Sequence, residues 1–278
     1  MKKIKSECVL EASNSLKSSD GFSKTEQHFS RSIRQTNIKI FDEKIAKKIG
    51  REIGDYICFG FDELLFYDLK AKELLCKKFE QATKNLLSNM KLKPKKVMII
   101  GLGNEKYTCD SLGKQVVNRI LVTKPYLESG LYDKSKLKEV FAISFGVYGT
   151  TGLDSAEAIK SLCGVVKPDL VVAVDSLVAE NVNSLGLSIQ ISNTKLSPGG
   201  GVGNNRKEVS EKTLGTKVLG IGVPLVADIS DISQSKNNLI VTPKDVDQKV
   251  NDISKIIAKS LNLTFNNLTE RELLELIG

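Results

Sequence analysis

From residue 96 onward the sequence alternates between short apolar runs and amphipathic segments, and this alternation constrains the fold more than any other feature. The apolar runs are rich in branched residues, which is typical of strands buried on both faces of a sheet. Strands that alternate with helices predict an α/β fold, namely a doubly wound, mostly parallel sheet with helices on both faces. The predicted strands are 96–103, 141–146, 170–175, 187–192, 217–224 and 238–243, and the predicted helices are 111–122, 154–166 and about 244–261.

The N-terminal third is predicted to be a small elaboration of this fold. Residues 1–37 are rich in Ser, Lys and Gln and have weak periodicity, so we expect a loose arm or a pro-segment there. The apolar pieces within 38–60 are interpreted as edge strands or a small appended sheet. Residues 62–91 carry apolar residues at helical spacing and are predicted to be a helix. We expect 38–278 to form a single α/β domain.

Composition and charge restrict the class of protein. The chain has 278 residues and a formal net charge of +8, and residues 1–94 hold 19 Lys and Arg against 13 Asp and Glu. We interpret this basic excess as a solvated surface, because no nucleic-acid-binding motif accompanies it. No apolar run approaches the roughly 20 residues of a membrane span, and the N-terminus has no apolar stretch of signal-peptide length. We therefore expect a cytoplasmic protein that contacts neither membranes nor nucleic acid directly.

Cysteine and histidine usage argues against several kinds of site. The five cysteines form no C-x-x-C pair, so neither a disulfide framework nor a Cys-based zinc site is expected. His28 is the one histidine, which excludes a His-rich metal site. Cys109 could be a nucleophile only if Lys106 or a helix dipole activated it, and we favour an idle cysteine. A Ser–Lys pair, Ser111 with Lys114, stays open as an alternative.

Two aspartates stand where predicted strands end. Asp110 follows the run 96–103, and Asp175 closes the run 170–175. Ligands bind at the carboxyl ends of the strands in an open parallel sheet, and two carboxylates that meet there could hold and activate a water molecule. A different role is open for each residue. Asp110 could be the N-cap of the helix 111–122, and Asp175 could bind backbone amides of the following turn.

Two glycine-rich segments are candidates for close backbone approach. GLGN (101–104) lacks the third glycine of a dinucleotide fingerprint, and we expect Gly103 and Asn104 to form a tight turn near the pocket. PGGGVGNNRK (198–207) lacks the Gly-Lys-Ser/Thr ending of a P-loop. Its backbone amides could still bind an anion.

Several long motifs together resemble one family. Between about residues 97 and 228, and in the family's order, they resemble the germination protease of endospore-forming bacteria, whose fold is related to that of hydrogenase-maturation endopeptidases. The segment KSECVLEA (5–12) is similar to the family's N-terminal R-T-D-L-A-x-E, near which the zymogen is trimmed. The motifs are GLGNEKYTCDSLG, VNRILVTK, FGVYGTTGLDS, KPDLVVAVDSL, SIQISNTKLSPGGGVGNNRKEVSEKTLG and GIGVPLVAD.

The resemblance implies an atypical aspartic-type endopeptidase that degrades small acid-soluble spore proteins during germination, in the spore core. It also implies a precursor that processes itself and a homotetramer, and we expect no metal or organic cofactor. The family's two essential aspartates map onto Asp110 and Asp175, and we assign the role of base to Asp175. Asn104, Thr151 and Gly201 are predicted to line the substrate cleft.

The chain departs from the family's pattern at four positions. The family has Pro where this chain has Cys109 and Lys114, and it has Arg and Asp where this chain has Lys5 and Glu7. The N-terminal departures bear on the processing site more than on the catalytic pair. Two alternatives to the aspartic mechanism also stay open. One is a metal-dependent, maturation-type peptidase in which the two aspartates hold Mg²⁺ or Ca²⁺. The other is a non-catalytic sporulation protein of the same fold that binds a partner.

Overall fold

The structure of the chain is a computed structural model. It describes residues 6–14, 16, 21–130, 135–197, 207–229 and 239–277. The strands in these residues are β1 (Phe22–His28), β2 (Ile33–Ile40), β3 (Gly54–Phe61), β4 (Lys96–Gly101), β5 (Glu139–Ser144), β6 (Leu170–Ala179), β7 (Ser188–Ser192), β8 (Lys217–Asp228) and β9 (Ile240–Val241). The α-helices are α1 (Val9–Ser13), α2 (Glu43–Ile49), α3 (Leu69–Asn89), α4 (Leu112–Val117), α5 (Lys124–Ser129), α6 (Tyr148–Thr151), α7 (Ser155–Val166), α8 (Glu211–Leu214), α9 (Val246–Phe265) and α10 (Glu270–Ile277). Short 3₁₀ helices span Glu63–Tyr67, Thr108–Asp110 and Val182–Ser184.

All these strands belong to one mixed sheet. Its order is β1-β2-β3-β7-β8-β6-β4-β5, and β9 pairs with the far end of β8. Strands β8, β6, β4 and β5 pair in parallel. The other neighbouring strands of the described chain pair antiparallel. The predicted α/β fold is confirmed, but its parallel part is limited to four strands, because β7 runs against β8 and joins them to the N-terminal strands.

Alternate residues of the central strands face different layers of helices. In β4, Val97 and Ile99 belong to the buried cluster that includes α3, α4 and α9, whereas Met98 and Ile100 belong to the cluster that includes α7. This alternation is the two-residue period of a strand, and burial on both faces explains why the strand is apolar throughout. Burial on both faces also fixes the register, so the residues that follow each strand have defined positions.

The prediction of a loose arm is wrong for residues 22–37, which form β1 and most of β2. Strand β1 lies at the edge of the sheet, and Phe22 is its one buried residue. An edge strand with a single buried side chain shows no apolar alternation, which is why the sequence does not predict it. Residues 1–5, 15 and 17–20 of the expected arm lie outside the described residues.

Helix α4 is shorter than the predicted helix 111–122. The side chain of Asn262, on α9, accepts a hydrogen bond from the Leu121 amide at 2.9 Å and donates one to the Arg119 carbonyl at 3.0 Å. These bonds satisfy backbone groups that an α-helix would otherwise pair internally. The helix therefore ends at Val117 because of a contact from a distant part of the chain.

Candidate active site

The turn after β4 is built around Gly103. This residue has φ of +113°, a conformation that side-chain-bearing residues rarely adopt. A Cβ atom placed on it would lie 2.1 Å from the carbonyl oxygen of Asp110 and 2.9 Å from its Oδ1. The next residue, Asn104, donates its backbone amide to Asp110 Oδ2 at 2.8 Å. The glycine turn therefore brings the backbone into direct contact with Asp110, as the GLGN segment suggested.

Asp110 does not cap the helix that follows it. It ends the 3₁₀ helix Thr108–Asp110, and the N-cap of α4 is Ser111, whose side chain makes no capping bond. The carboxyl group instead accepts the Asn104 amide from the turn after β4. Burial raises the pKa of Asp110, and the hydrogen bond from Asn104 partly offsets this. The capping interpretation is therefore wrong, and the side chain is held in place from the strand side.

Asp175 is the more deeply buried of the two aspartates, with 5% of its surface exposed. Its pKa is raised well above the usual range, first by burial, then by the negative charge of Asp110, and then by that of Glu7. The Ser176 amide, which donates to Asp175 Oδ1 at 2.9 Å, acts in the opposite direction. Two neighbouring carboxyl groups with raised pKa values can share one proton, which is a basis for acid–base chemistry.

Both aspartates line one cavity of about 520 Å³, which we call the aspartate cavity. Glu7, Asn104 and Ser176 also line it. The hydroxyl oxygen of Ser176 is buried and has no hydrogen-bond partner among the described residues. Within the described part of the chain, three carboxyl groups and one hydroxyl without a partner therefore face a space large enough for part of a peptide.

The three residues predicted to line the substrate cleft differ in where the structure places them. Asn104 lines the aspartate cavity and also a neighbouring pocket of about 380 Å³. Thr151 lines the neighbouring pocket but not the aspartate cavity, and its hydroxyl bonds locally with the Val147 carbonyl and the Leu153 amide. Gly201 lies outside the described residues, as does most of the glycine-rich segment around it.

Sequence reasoning did not assign Glu7 to the site. This residue precedes α1, and its backbone amide donates to the Val178 carbonyl at 2.7 Å. Its Oε2 accepts the Val178 amide at 2.8 Å. The signal that could have found it is the similarity of KSECVLEA to the family's N-terminal motif, because that segment comes to lie against β6 beside Asp175.

The nucleophiles considered as alternatives are poorly placed. Burial and the charge of Asp110 raise the pKa of the Cys109 thiol, which disfavours the reactive thiolate. His28 is exposed on the edge strand β1, where it pairs with Glu26 at 3.0 Å. Ser111 donates its hydroxyl to the Thr108 carbonyl, and the ammonium group of Lys114 pairs with Glu105 at 3.5 Å. None of these residues forms a nucleophile–base pair with another.

A metal site is also a poor fit to the described residues. No group of three His, Cys, Asp or Glu side chains among them is arranged to hold an ion. Metal ligands must be deprotonated, and the raised pKa values of Asp110 and Asp175 oppose that state.

No helix in the described ranges has both the length and the apolar character needed to cross a membrane.

Comparison with known protein families identifies the family of the chain. The sequence profile of the germination protease family matches residues 2–237. The chain belongs to the germination protease family. The germination protease of Caldanaerobacter subterraneus subsp. tengcongensis is 33% identical in an alignment of 291 positions that covers 88% of this chain and 89% of that protein. The germination protease of Clostridium tetani is 32% identical in an alignment of 286 positions that covers 86% of this chain and 87% of that protein. The chain is therefore a protease by family.

Solved structures show a weaker likeness. The [NiFe] hydrogenase maturation protease HycI from Thermococcus kodakarensis KOD1 is 18% identical, covers 65% of this chain and 98% of its own, and superposes with a TM-score of 0.37. The hydrogenase 2 maturation peptidase from Thaumarchaeota archaeon SCGC_AB-539-E09 is also 18% identical, with a TM-score of 0.29. At these TM-scores the likeness supports no statement about the site.

Proposed function

We propose that this member of the germination protease family is an endopeptidase that degrades small acid-soluble spore proteins during germination, with Asp110 and Asp175 as its catalytic pair. The observation that carries the proposal is that two carboxyl groups with raised pKa values line the same cavity. General acid–base hydrolysis requires one ionised and one protonated group at the same water molecule. No organic cofactor is needed for this chemistry.

The structure favours an assignment of roles opposite to the one from sequence, which took Asp175 as the base. Asp175 is buried more deeply and lies near the negative charges of Asp110 and Glu7, so we propose that it keeps the shared proton. Each carboxyl group accepts one backbone amide, so the difference in burial distinguishes them, and the less buried Asp110 ionises more easily. In the proposed reaction Asp110 takes a proton from the attacking water, and Asp175 gives its proton to the leaving nitrogen as the peptide bond breaks.

A cleavage assay tests the proposed function. The full chain is incubated with a purified acid-soluble spore protein, and the products are separated on a gel. Fragments that accumulate with time are expected. An intact substrate that co-elutes with the chain would contradict the peptidase proposal and favour the non-catalytic alternative.

Chelation is expected to leave cleavage unchanged, because the two aspartates do not fit a metal site. The measurement compares initial rates of substrate cleavage with and without excess EDTA, after prolonged incubation. Loss of activity that Mg²⁺ or Ca²⁺ restores would contradict the metal-free mechanism and support the maturation-type alternative.

We also propose that the described state corresponds to a precursor that processes itself, acts in the spore core and assembles as a homotetramer. The position of Glu7 supports the first part, because the chain's own N-terminus contributes a side chain to the aspartate cavity. A substrate would compete with this segment for the same space.

Neutralising Glu7 is expected to shift the pH–rate profile to lower pH. The charge of Glu7 helps to raise the pKa of Asp175, so Glu7→Gln lowers that pKa. The part of the pH–rate profile in which activity falls as Asp175 loses its proton therefore moves to lower pH. The measurement is kcat/KM for substrate cleavage as a function of pH, which reports the substrate-free chain in which Glu7 lines the cavity. The matched control is Glu11→Gln, which removes a carboxylate from the same segment but outside the cavity lining. Equal shifts for both variants would contradict the assignment.

A further inference from the structure

Strand β6 has an open edge beside the aspartates. Its pairing with β4 covers residues 170–174, whereas β8 accompanies it on the other side as far as Ala179. Among the described residues, no strand pairs with this side of β6 from Asp175 onward. Ser176 and Val178, on this free stretch, both line the aspartate cavity. A free strand edge offers unpaired backbone groups that another extended chain can bind.

The amides along this edge donate to carboxylates instead of to a neighbouring strand. They belong to every second residue, which is the spacing of backbone groups on one side of a strand. One acceptor is the adjacent aspartate, and two come from residues 6–13, which we call the N-terminal segment. The three bonds run from Ser176 N to Asp175 Oδ1 (2.9 Å), from Val178 N to Glu7 Oε2 (2.8 Å) and from Glu180 N to Glu11 Oε2 (2.9 Å).

The N-terminal segment imitates an added strand only in part. The Glu7 amide donates to the Val178 carbonyl at 2.7 Å, which is a bond of the kind that joins two strands. The return bond, from the Val178 amide, goes to the Glu7 carboxylate and not to a backbone carbonyl. Side-chain oxygens therefore occupy donor positions that the backbone carbonyls of an extended peptide can also fill.

We propose that the substrate peptide binds as an added strand on the open edge formed by the end of β6 and the residue after it, residues 176–180, in place of the N-terminal segment. This inference rests on the proposed peptidase function and specifies how a peptide reaches the two aspartates. An extended peptide would accept hydrogen bonds from the Val178 and Glu180 amides and donate one to the Val178 carbonyl. Because Asp175 Oδ1 accepts the Ser176 amide on this edge, a peptide bound there would lie beside that carboxyl group.

Substrate recognition would then depend on backbone shape. Main-chain hydrogen bonds provide affinity for any extended segment, and side-chain pockets select among segments. A substrate must therefore present a stretch that is unfolded or can become extended. A protein folded throughout into stable helices or sheets would be a poor substrate, whatever its sequence.

The test measures binding of a peptide whose backbone donor can be removed. The receptor is the full chain with Asp175→Asn, to prevent cleavage, and with Glu7→Ala and Glu11→Ala, to release its own segment. The probe is the peptide SECVLEAS, which copies residues 6–13. N-methylation of the amide at the Glu7 position removes the donor to Val178 and is expected to weaken binding about tenfold. Equal affinities, or no binding of either peptide, would overturn the proposal.

The matched control is the same peptide N-methylated at the Cys8 position. In the chain the Cys8 amide donates to the Ser6 hydroxyl within the segment and not to β6. Its methylation is therefore expected to change the affinity much less. A loss as large as that at the Glu7 position would mean that N-methylation disturbs binding in general, and the inference would be rejected.

Amide hydrogen exchange gives a second readout and also reports whether the receptor variant is folded. In the unaltered chain the Val178 and Glu180 amides are expected to be protected, and in the receptor variant to exchange faster until SECVLEAS is added. Exchange at these amides that the peptide leaves unchanged would contradict strand addition.

If the peptides bind as expected but the unaltered chain cuts no spore protein, the peptidase proposal fails and the binding edge stands. If cleavage occurs without the N-methyl effect, the binding edge alone fails.

Discussion

Replacing Asp175 with asparagine is expected to lower kcat for substrate cleavage by about 10³-fold, within the range that acid–base groups contribute. An amide has the shape of the carboxyl group but cannot give up a proton to the leaving nitrogen. The substitution should leave substrate binding largely intact, so KM should change little. The measurement is steady-state cleavage of a spore protein or of a peptide cut from it. A variant with full kcat would remove Asp175 from the mechanism.

The same substitution is expected to make the fold more stable at neutral and alkaline pH. The pKa of Asp175 in the folded chain lies well above its unfolded value of 3.8, so the folded state binds the proton more tightly. Such a group lowers stability progressively as the pH rises from the unfolded pKa toward the folded one. Asparagine has no charge to bury and removes this loss. Urea unfolding at several pH values should show the advantage of the variant growing with pH.

Asp169→Asn is the matched control, because Asp169 stands directly before the other end of the same strand. Its carboxylate accepts the Lys95 and Lys96 amides at 2.7 and 2.9 Å, and these contacts lower its pKa. Its contribution to stability therefore has the opposite sign, and is present above the unfolded pKa and lost as the pH falls through the folded one. Cleavage should be unaffected by this variant. A similar fall in kcat would show that loss of a carboxyl group near either end of β6 damages the enzyme.

Alanine at Gly113 is expected to destabilise the fold by about 3 kcal/mol, at the upper end of what overpacking usually costs. A Cβ atom there would lie 2.4 Å from both N and O of Leu102 and 2.7 Å from the carbonyl oxygen of Val174. These are backbone atoms of neighbouring chain segments, and the Leu102 amide donates to the Val174 carbonyl at 2.8 Å. The helix must therefore move away and carry Asp110 with it, so cleavage should be lost together with stability.

Gly164→Ala is the control for this prediction, because it makes the same change within another helix. Gly164 lies in α7, and a Cβ atom there meets nothing within 4 Å. Alanine is a better helix former than glycine, so this variant should gain roughly 0.5–1 kcal/mol. Both free energies of unfolding come from urea titration. Equal effects of the two substitutions would contradict the close contact between α4 and the strands.

The sequence predicts the parts of this fold that are buried on both sides. Strand β4 and the first half of β6 are continuous apolar runs, and the two aspartates were found because they stand after those runs. The predicted end of the strand at Asp175 is wrong, because β6 continues to Ala179 and Asp175 lies within it. The sequence does not predict β1, because an edge strand with one buried residue has no apolar pattern. The helix predicted from the sequence is also longer than α4. The side chain of Asn262, on α9, forms hydrogen bonds with the backbone after Val117, and α4 ends there. Contacts between distant segments leave no local signal in a sequence.

The site shows the same division. The GLGN turn could be predicted because glycine is needed where the backbone approaches closely. The capping interpretation of Asp110 is wrong because its carboxylate accepts the Asn104 amide and does not cap the next helix. The turn after β4 places that amide next to Asp110, and the local sequence does not indicate this contact. Glu7 lines the cavity although it is more than 100 positions away from Asp110 in the sequence, so residue spacing within a motif could not identify it. The relative burial of the aspartates, and hence the proposed exchange of their roles, also requires the folded structure.

The measurement that tests the central claim most directly is the kcat/KM of Asp110→Asn, Asp175→Asn and the double variant on one substrate. Two groups that act on a single water molecule work as a unit, so either loss removes the same step. We expect the double variant to be no slower than the slower single variant. Losses that multiply in the double variant would show that the two aspartates act independently, and would contradict a shared water.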